Sequence, residues 1–224
     1  MGSAIAQMIP LMIGSALVPV WIIMVLLMLR GERGLPKASM FVAGMTVMRL
    51  VQGTVFGLIL GSADSGDESG SESKTIVSIL LLVVALLMLA TAMKMLQSDA
   101  DPDAPPPKWM TMIQNLTPVK AFGIGAGLLA IGAKHWVFLL GAIAVISDAG
   151  LGQPSSTIAF LVFILGAEIL VLIPIVAYAL APTQSAAILE AAGTWLEKNN
   201  KPIVIAVSGI FGLYFLWKSL SDLL

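Results

Sequence analysis

Long apolar runs separated by short polar segments set the pattern of this chain. A helix that crosses a bilayer needs about 20 predominantly apolar residues. Six segments meet that length, at roughly 4–29, 36–61, 75–96, 119–146, 155–180 and 202–220. The first contains Pro10 and Pro19, the fourth is interrupted by Gly132-Ala133-Lys134-His135, and the fifth holds Glu168 and Pro174. The pattern predicts an all-α integral membrane protein with six transmembrane helices in a single transmembrane domain. One further stretch, 183–200, is amphipathic. Ile188, Leu189, Ala192, Trp195 and Leu196 recur at helical spacing, while Glu190, Thr194 and Glu197 fall elsewhere on the wheel. This predicts a helix lying in the interface, with Trp195 at headgroup depth.

The polar segments give the orientation. Arg30, Arg33, Lys37, Lys94, Lys108, Lys120, Lys198 and Lys201 all fall on one side of a six-span topology. The other side has only Lys74 and Lys218, with the acidic residues Asp64, Asp67, Glu68 and Glu72. Basic loops stay in the cytosol, so both termini are expected outside the cell (inner) membrane. The segment SADSGDESGSES (62–73) is too polar to bury a core and is expected to be flexible. The segment DADPDAPPP (99–107) reads as a stiff, extended connector within a linker at about 98–118.

Composition narrows the function classes. Only 11% of the 224 residues are charged, against about 25% in soluble domains, and the mean hydropathy is +0.97. A net charge of −1 without a basic run argues against a nucleic-acid partner. The absence of cysteine excludes disulfides and thiolate metal sites, and a single histidine argues against a histidine-rich metal site. No cofactor is expected. No paired catalytic acids or Ser-His arrangement suggests an enzyme. The start MGSAIAQMIP lacks a basic n-region, so the first run is read as a retained spanning helix. Its sixth residue is not the Ser or Thr of a myristoylation signal.

The two halves, about 4–97 and 119–221, look related. Trp21 in the first helix answers Trp136 in the fourth. Phe41-x-x-Gly44 answers Phe163-x-x-Gly166, and Met93-Lys94-Met95-Leu96 answers Trp217-Lys218-Ser219-Leu220. Each half has three spans, an odd number, so the second enters the membrane inverted. Two inverted three-helix repeats are a recurring transporter design. The helix interruptions correspond too, Pro19 in one half and the Gly132 region in the other. Paired breaks at membrane depth point to a substrate site, although a packing kink would leave the same trace.

Four ionisable residues lie inside the spans: Arg49, Lys134, His135 and Glu168. A charge at the centre of a spanning helix costs about 2.5–3.5 kcal/mol on insertion scales, so such groups face a bundle interior or a watery cavity. Arg49 and Glu168 either form a structural ion pair or hold an anionic group and a proton, respectively. Lys134 and His135 would point about 100° apart on a regular helix, so both reach one cavity only if the helix breaks at Gly132. His135 is a packing residue or a proton carrier. Gly53, Gly57 and Gly61 recur every fourth residue, which predicts a close helix approach within the chain, or with a second subunit in a homodimer.

The segments ALVPVWIIMVLLMLRGERG (16–34), FVAGMTVMRLVQG (41–53), KWMTMIQNLTPVKAFGIGAGLLAIGAKHWVFLLGAIA (108–144) and LIPIVAYALAP (172–182) resemble the GAP family. These are the sulfolipid-1-addressing or peptidoglycolipid-addressing proteins of the lysine-exporter (LysE) superfamily. The resemblance implies a three-plus-three inverted-repeat fold and export of a small solute or a polar lipid toward the cell envelope. Family members carry an Asn-Pro-Lys-like break in the fourth span; here Gly132-Ala133-Lys134-His135 keeps the lysine and lacks the Asn and Pro. The reading is a secondary transporter working by alternating access, exporting a small polar or anionic solute or a polar lipid. Arg49 and Lys134 would hold the anionic group beside the breaks at Pro19 and Gly132, with Glu168 or His135 carrying a proton. The alternative is a non-transporting membrane subunit that scaffolds envelope glycolipid synthesis or export.

Overall fold

The computed structural model describes residues 1–63, 69–98, 112–113 and 115–223. Its regular structure is helical: α1 (Gly2–Ala16), α2 (Pro19–Arg30), α3 (Gly34–Ala63), α4 (Ser69–Gln97), α5 (Pro118–Ile131), α6 (Ala133–Asp148), α7 (Ser155–Leu180) and α8 (Pro182–Leu223). Among these, α3, α7 and α8 are each long and apolar enough to cross a membrane. The bent pairs α1–α2 and α5–α6 each qualify as one further span, giving up to five. The described apolar part of α4, Leu81–Gln97, is shorter than the others. The chain is therefore a multi-pass membrane protein. Only 44% of the most apolar window of α7 is buried in the protein, so the rest of that window needs lipid as its solvent. Leu86, Leu165, Ile173 and Leu213 are exposed on this outer face.

The first two breaks have different local causes. Proline disfavours helical backbone in the residue before it, and Val18 is extended at φ −120°, ψ 92°. Pro19 then opens α2 at a first-turn position, where its missing N–H costs nothing. The two half-helices meet at 60°. Gly132 ends α5 and opens α6 at φ −76°, ψ 91°, and the bend there is 72°. A Cβ at Gly132 would lie 2.6 Å from the Nδ1 of His135 and 2.9 Å from the Leu128 carbonyl oxygen, so a side chain would force this turn apart. Thr117 caps α5, its hydroxyl accepting from the Lys120 N–H at 3.3 Å, with Pro118 in the first turn.

Two apolar clusters hold the bundle. One joins α1, α4, α6, α7 and α8 through Met8, Val84, Phe138, Phe163 and Phe215. The other joins α2, α3, α5 and α7 through Trp21, Met28, Phe41, Leu129 and Val171. The most extensive helix contacts are α4 on α8, α3 on α5, and α1 on α7. At the α3–α5 crossing, a Cβ on Gly44 would run into the Phe122 carbonyl, and one on Gly125 into the Phe41 carbonyl. Two glycines thus let the backbones touch. The expected Gly53, Gly57 and Gly61 stripe behaves differently. Gly53 receives the ring of Phe160, Gly57 faces open space, and the surroundings of Gly61 lie outside the described residues. Gly53 therefore seats an aromatic ring.

Other expectations shift. The separate interfacial helix is instead the first part of a continuous α8, which runs through Pro202. Trp195 and Ile188 on it are exposed, as an interfacial face requires. Its other face is tied down. Arg30 donates to the Glu190 carbonyl at 2.8 Å and lies against Gly193. Lys201 donates to the Ser98 carbonyl at 2.6 Å, joining α8 to the end of α4. Helix reaches to Ala63 and resumes at Ser69, so the acidic loop is shorter than 62–73. Residues 64–68 of that loop, and the connector 99–107, lie outside the described residues.

Candidate functional site

Arg49 on α3 and Glu168 on α7 meet inside the bundle. Arg49 Nε lies 3.2 Å from Glu168 Oε1, and their side chains are 0% and 2% exposed. The contact is an ion pair off the hydrogen-bonding line, since neither atom has a hydrogen-bond partner. Neighbouring groups complete the cluster. Thr46, one turn before Arg49, donates to Glu168 Oε2 at 2.7 Å. Arg49 Nη2 donates to Ser15 Oγ at 3.0 Å. Ser15 sits in the last turn of α1, so the guanidinium lies against the negative end of a half-helix, where a cation is favoured. The ring of Phe163 lies 5.9 Å from the guanidinium carbon. Arg49 Nη1 and Gln52 Nε2, about one turn apart on α3, have no hydrogen-bond partner among the described residues. Two buried donors are thus left for an oxygen-rich ligand.

His135 enters from the other break. It lies in the first turn of α6 and stacks on Trp21 in the first turn of α2, with centroids 4.0 Å apart and planes at 22°. The two helix breaks therefore meet through one ring pair. Trp136 turns away from that pair, donating to the Ala130 carbonyl at 2.7 Å and meeting Phe56 edge-on. Pro19 and Gly132 stand at the two breaks. The backbone of Lys134 is in the first turn of α6; its side chain lies outside the described residues. The sequence reading missed Ser15, Thr46, Gln52 and Phe163. Hydroxyls are common in spanning helices because they can bond their own backbone, and Thr46 Oγ1 lies 3.0 Å from the Val42 carbonyl, the alternative acceptor for its single proton. Only the tertiary contact separates this threonine from an ordinary one.

A cavity of about 520 Å³ opens between α3, α6 and α7, at the end of the bundle that carries the 149–154 turn. Gly150 and Gly152 in that turn hold φ of 54° and 64°, a region other residues rarely adopt. Gly53, Gly57, Ile143, Ser156, Thr157 and Phe160 are among its walls. Phe160, seated on Gly53, stacks at 6.3 Å on Phe163, whose other neighbour is Arg49. An aromatic pair therefore stands between the cavity and the buried charges.

The family model for Sap, sulfolipid-1-addressing protein, matches residues 8–221. The chain belongs to the Sap family. The matched stretch contains both breaks, the whole Arg49–Glu168 cluster and the cavity walls. A membrane protein of this family is linked by its description to the addressing of a sulfolipid. No curated protein and no solved structure matches the chain.

Proposed function

We propose that this protein is a secondary transporter, moving a polar or anionic amphiphile or a small solute outward across the cell membrane by alternating access. The observation that carries the reading is the meeting of two helix breaks at Trp21 and His135, in a bundle that also buries the Arg49–Glu168 ion pair. Discontinuous helices supply free backbone groups at membrane depth, the usual material of a transporter site. The family description favours a sulfated lipid as the cargo.

Six spans as two inverted three-helix repeats are part of this reading. The packing supports it by reciprocity. If α1, α2, α3 and α4 correspond to α5, α6, α7 and α8, then the α3–α5 contact answers α1–α7, and α4–α6 answers α2–α8. Gly44 and Gly166 are both pressed by a neighbouring helix, by Phe122 of α5 and Met12 of α1 respectively. The spacing of those glycines also pairs Thr46 with Glu168, 122 positions on, and these two side chains hydrogen-bond to each other. Equivalent residues touch where a two-fold axis passes. The basic loops are assigned to the cytosol and both termini to the outside. We read the site as one that carries its ligand unchanged and not as a catalytic one.

In the proposed cycle, the Glu168 carboxylate and an anionic cargo compete for the same guanidinium. When Glu168 holds a proton, Arg49 turns to the cargo, with Nη1 and Gln52 Nε2 as donors. When Glu168 gives the proton up, the ion pair re-forms. The test is flux of a fluorescent sulfated lipid in proteoliposomes with and without a pH gradient. Wild-type flux should respond to the gradient, and Glu168→Gln should lose that response. Unchanged gradient dependence in Glu168→Gln removes Glu168 from the coupling. Absence of flux in the wild type with every anionic lipid and solute offered counts against transport itself.

A further inference from the structure

A second cavity, of about 300 Å³, lies among α1, α4, α6 and α8, and none of its walls belongs to the Arg49–Glu168 cluster. Its chemistry is layered. Each helix places a polar residue about one turn nearer the end of the bundle than an apolar one: Gln7 before Leu11 on α1, Ser78 before Leu81 on α4, Asp148 after Val145 on α6, and Lys218 after Phe215 on α8. The α1 and α4 chains run in from that end and the α6 and α8 chains run out toward it. Gln7, Asp148 and Lys218 therefore form the rim, with Ser78 buried beside them, and the four apolar residues form the floor.

Two rim residues carry opposite charges, yet Asp148 and Lys218 are not within ion-pair distance of each other, and neither has an ion pair among the described residues. A charge-separated rim over an apolar floor complements an amphiphile whose head bears both signs. We propose that this cavity is a site for a zwitterionic phospholipid, its primary ammonium at Asp148, its phosphate at Lys218, and the start of an acyl chain over Leu11, Leu81 and Phe215. The ammonium donates to the carboxylate and the lysine donates to the phosphate, both charge-assisted. The polarity gradient of the cavity, polar at the bundle end and apolar toward its middle, is that of a bilayer leaflet. This favours a lipid over a free zwitterion. The site is separate from the proposed transport site and stands or falls without it.

The experiment uses the full chain purified in micelles holding equal amounts of phosphatidylethanolamine and phosphatidylglycerol, with retained lipid counted by native mass spectrometry. Wild type should retain phosphatidylethanolamine over phosphatidylglycerol by about two- to fivefold, the range of a partly exposed charge contact. Asp148→Asn should abolish the preference, and Lys218→Gln should lower retention of both lipids. Both residues are at the rim, so neither change removes a core contact, and circular dichroism confirms folding. Equal retention by the wild type, or a preference that survives Asp148→Asn, overturns the proposal. Displacement of the lipid by an equal concentration of soluble phosphoethanolamine overturns the lipid assignment and makes the ligand a free zwitterion.

Discussion

Arg49 keeps its charge at any accessible pH, whereas Glu168 can become neutral by taking up a proton, and this asymmetry ranks their substitutions. Glu168→Gln leaves a buried guanidinium without its counter-charge, beside Ser15 and Phe163. Breaking a buried pair in this way costs about 3–5 kcal/mol. Arg49→Met leaves a carboxyl that can be protonated and still has Thr46, so its cost should be nearer the ~1–3 kcal/mol of an unsatisfied polar group. Unfolding in micelles followed by circular dichroism checks the order, and a larger loss for Arg49→Met contradicts it. His135→Phe makes a second test. The larger ring keeps an aromatic face for Trp21 but crowds a buried site, so it should cost about 1–3 kcal/mol, as for overpacking. Loss of the pH response of flux in protein that still folds would then report lost titration. At this scale the sequence exposes what bilayers penalise. Two charges inside spanning helices had to find each other or a ligand. Ser15 and Phe163 carry no such signal, because their role exists only once α1, α3 and α7 are packed.

At the scale of elements, the helix crossings make glycines unequal. Gly44→Ala and Gly125→Ala would drive a methyl into the Phe122 and Phe41 carbonyls, which cannot move without shifting α5 or α3. Overpacking of this kind costs about 1–3 kcal/mol. Gly123→Ala and Gly127→Ala, on the same α5, meet nothing within 4 Å and should be neutral or stabilising by up to ~1 kcal/mol from helix propensity. Gly166→Ala should fall between, because it meets the flexible Met12 side chain. Thermal unfolding of the five variants checks the ranking, and equal losses across α5 would remove the crossing from the account. The breaks at Pro19 and Gly132 were legible because proline and glycine act locally. The crossing was not. Spacing marks Gly53 and Gly57 as strongly as it marks any pair, and only the path of α5 selects Gly44. Continuity of α8 was hidden for a related reason. Pro202 reads as a helix start, but a proline inside a spanning helix is tolerated where neighbouring groups satisfy the freed backbone.

For the whole molecule, the proposed inverted repeat turns this structure into a statement about a second one. One end of the bundle is open, at the cavity walled by Gly53, Gly57 and Phe160. If the repeats exchange conformations, the opposite end must open between the equivalent residues. Counting back and forward by the 122 positions that separate Thr46 from Glu168 takes Phe160 to Ala38 and Gly53 to Ile175. Both are now buried in one cluster with Met28, and Ala38 is 0% exposed. That closed seam is where the second opening should form. The chain has no cysteine of its own, so single cysteines report access cleanly. Gly57→Cys should react with a membrane-impermeant maleimide from outside the cell. Ala38→Cys should resist the same reagent there and react slowly in inverted vesicles, through the minor state. Adding Gly57→Trp to Ala38→Cys wedges the open cavity, and the inverted-vesicle rate should fall. A rigid scaffold predicts otherwise: Ala38→Cys would stay unreactive from both sides, and a tryptophan about 20 residues away along α3 would change nothing. The distinction does not require the cargo, because it reads the exchange between the two openings directly.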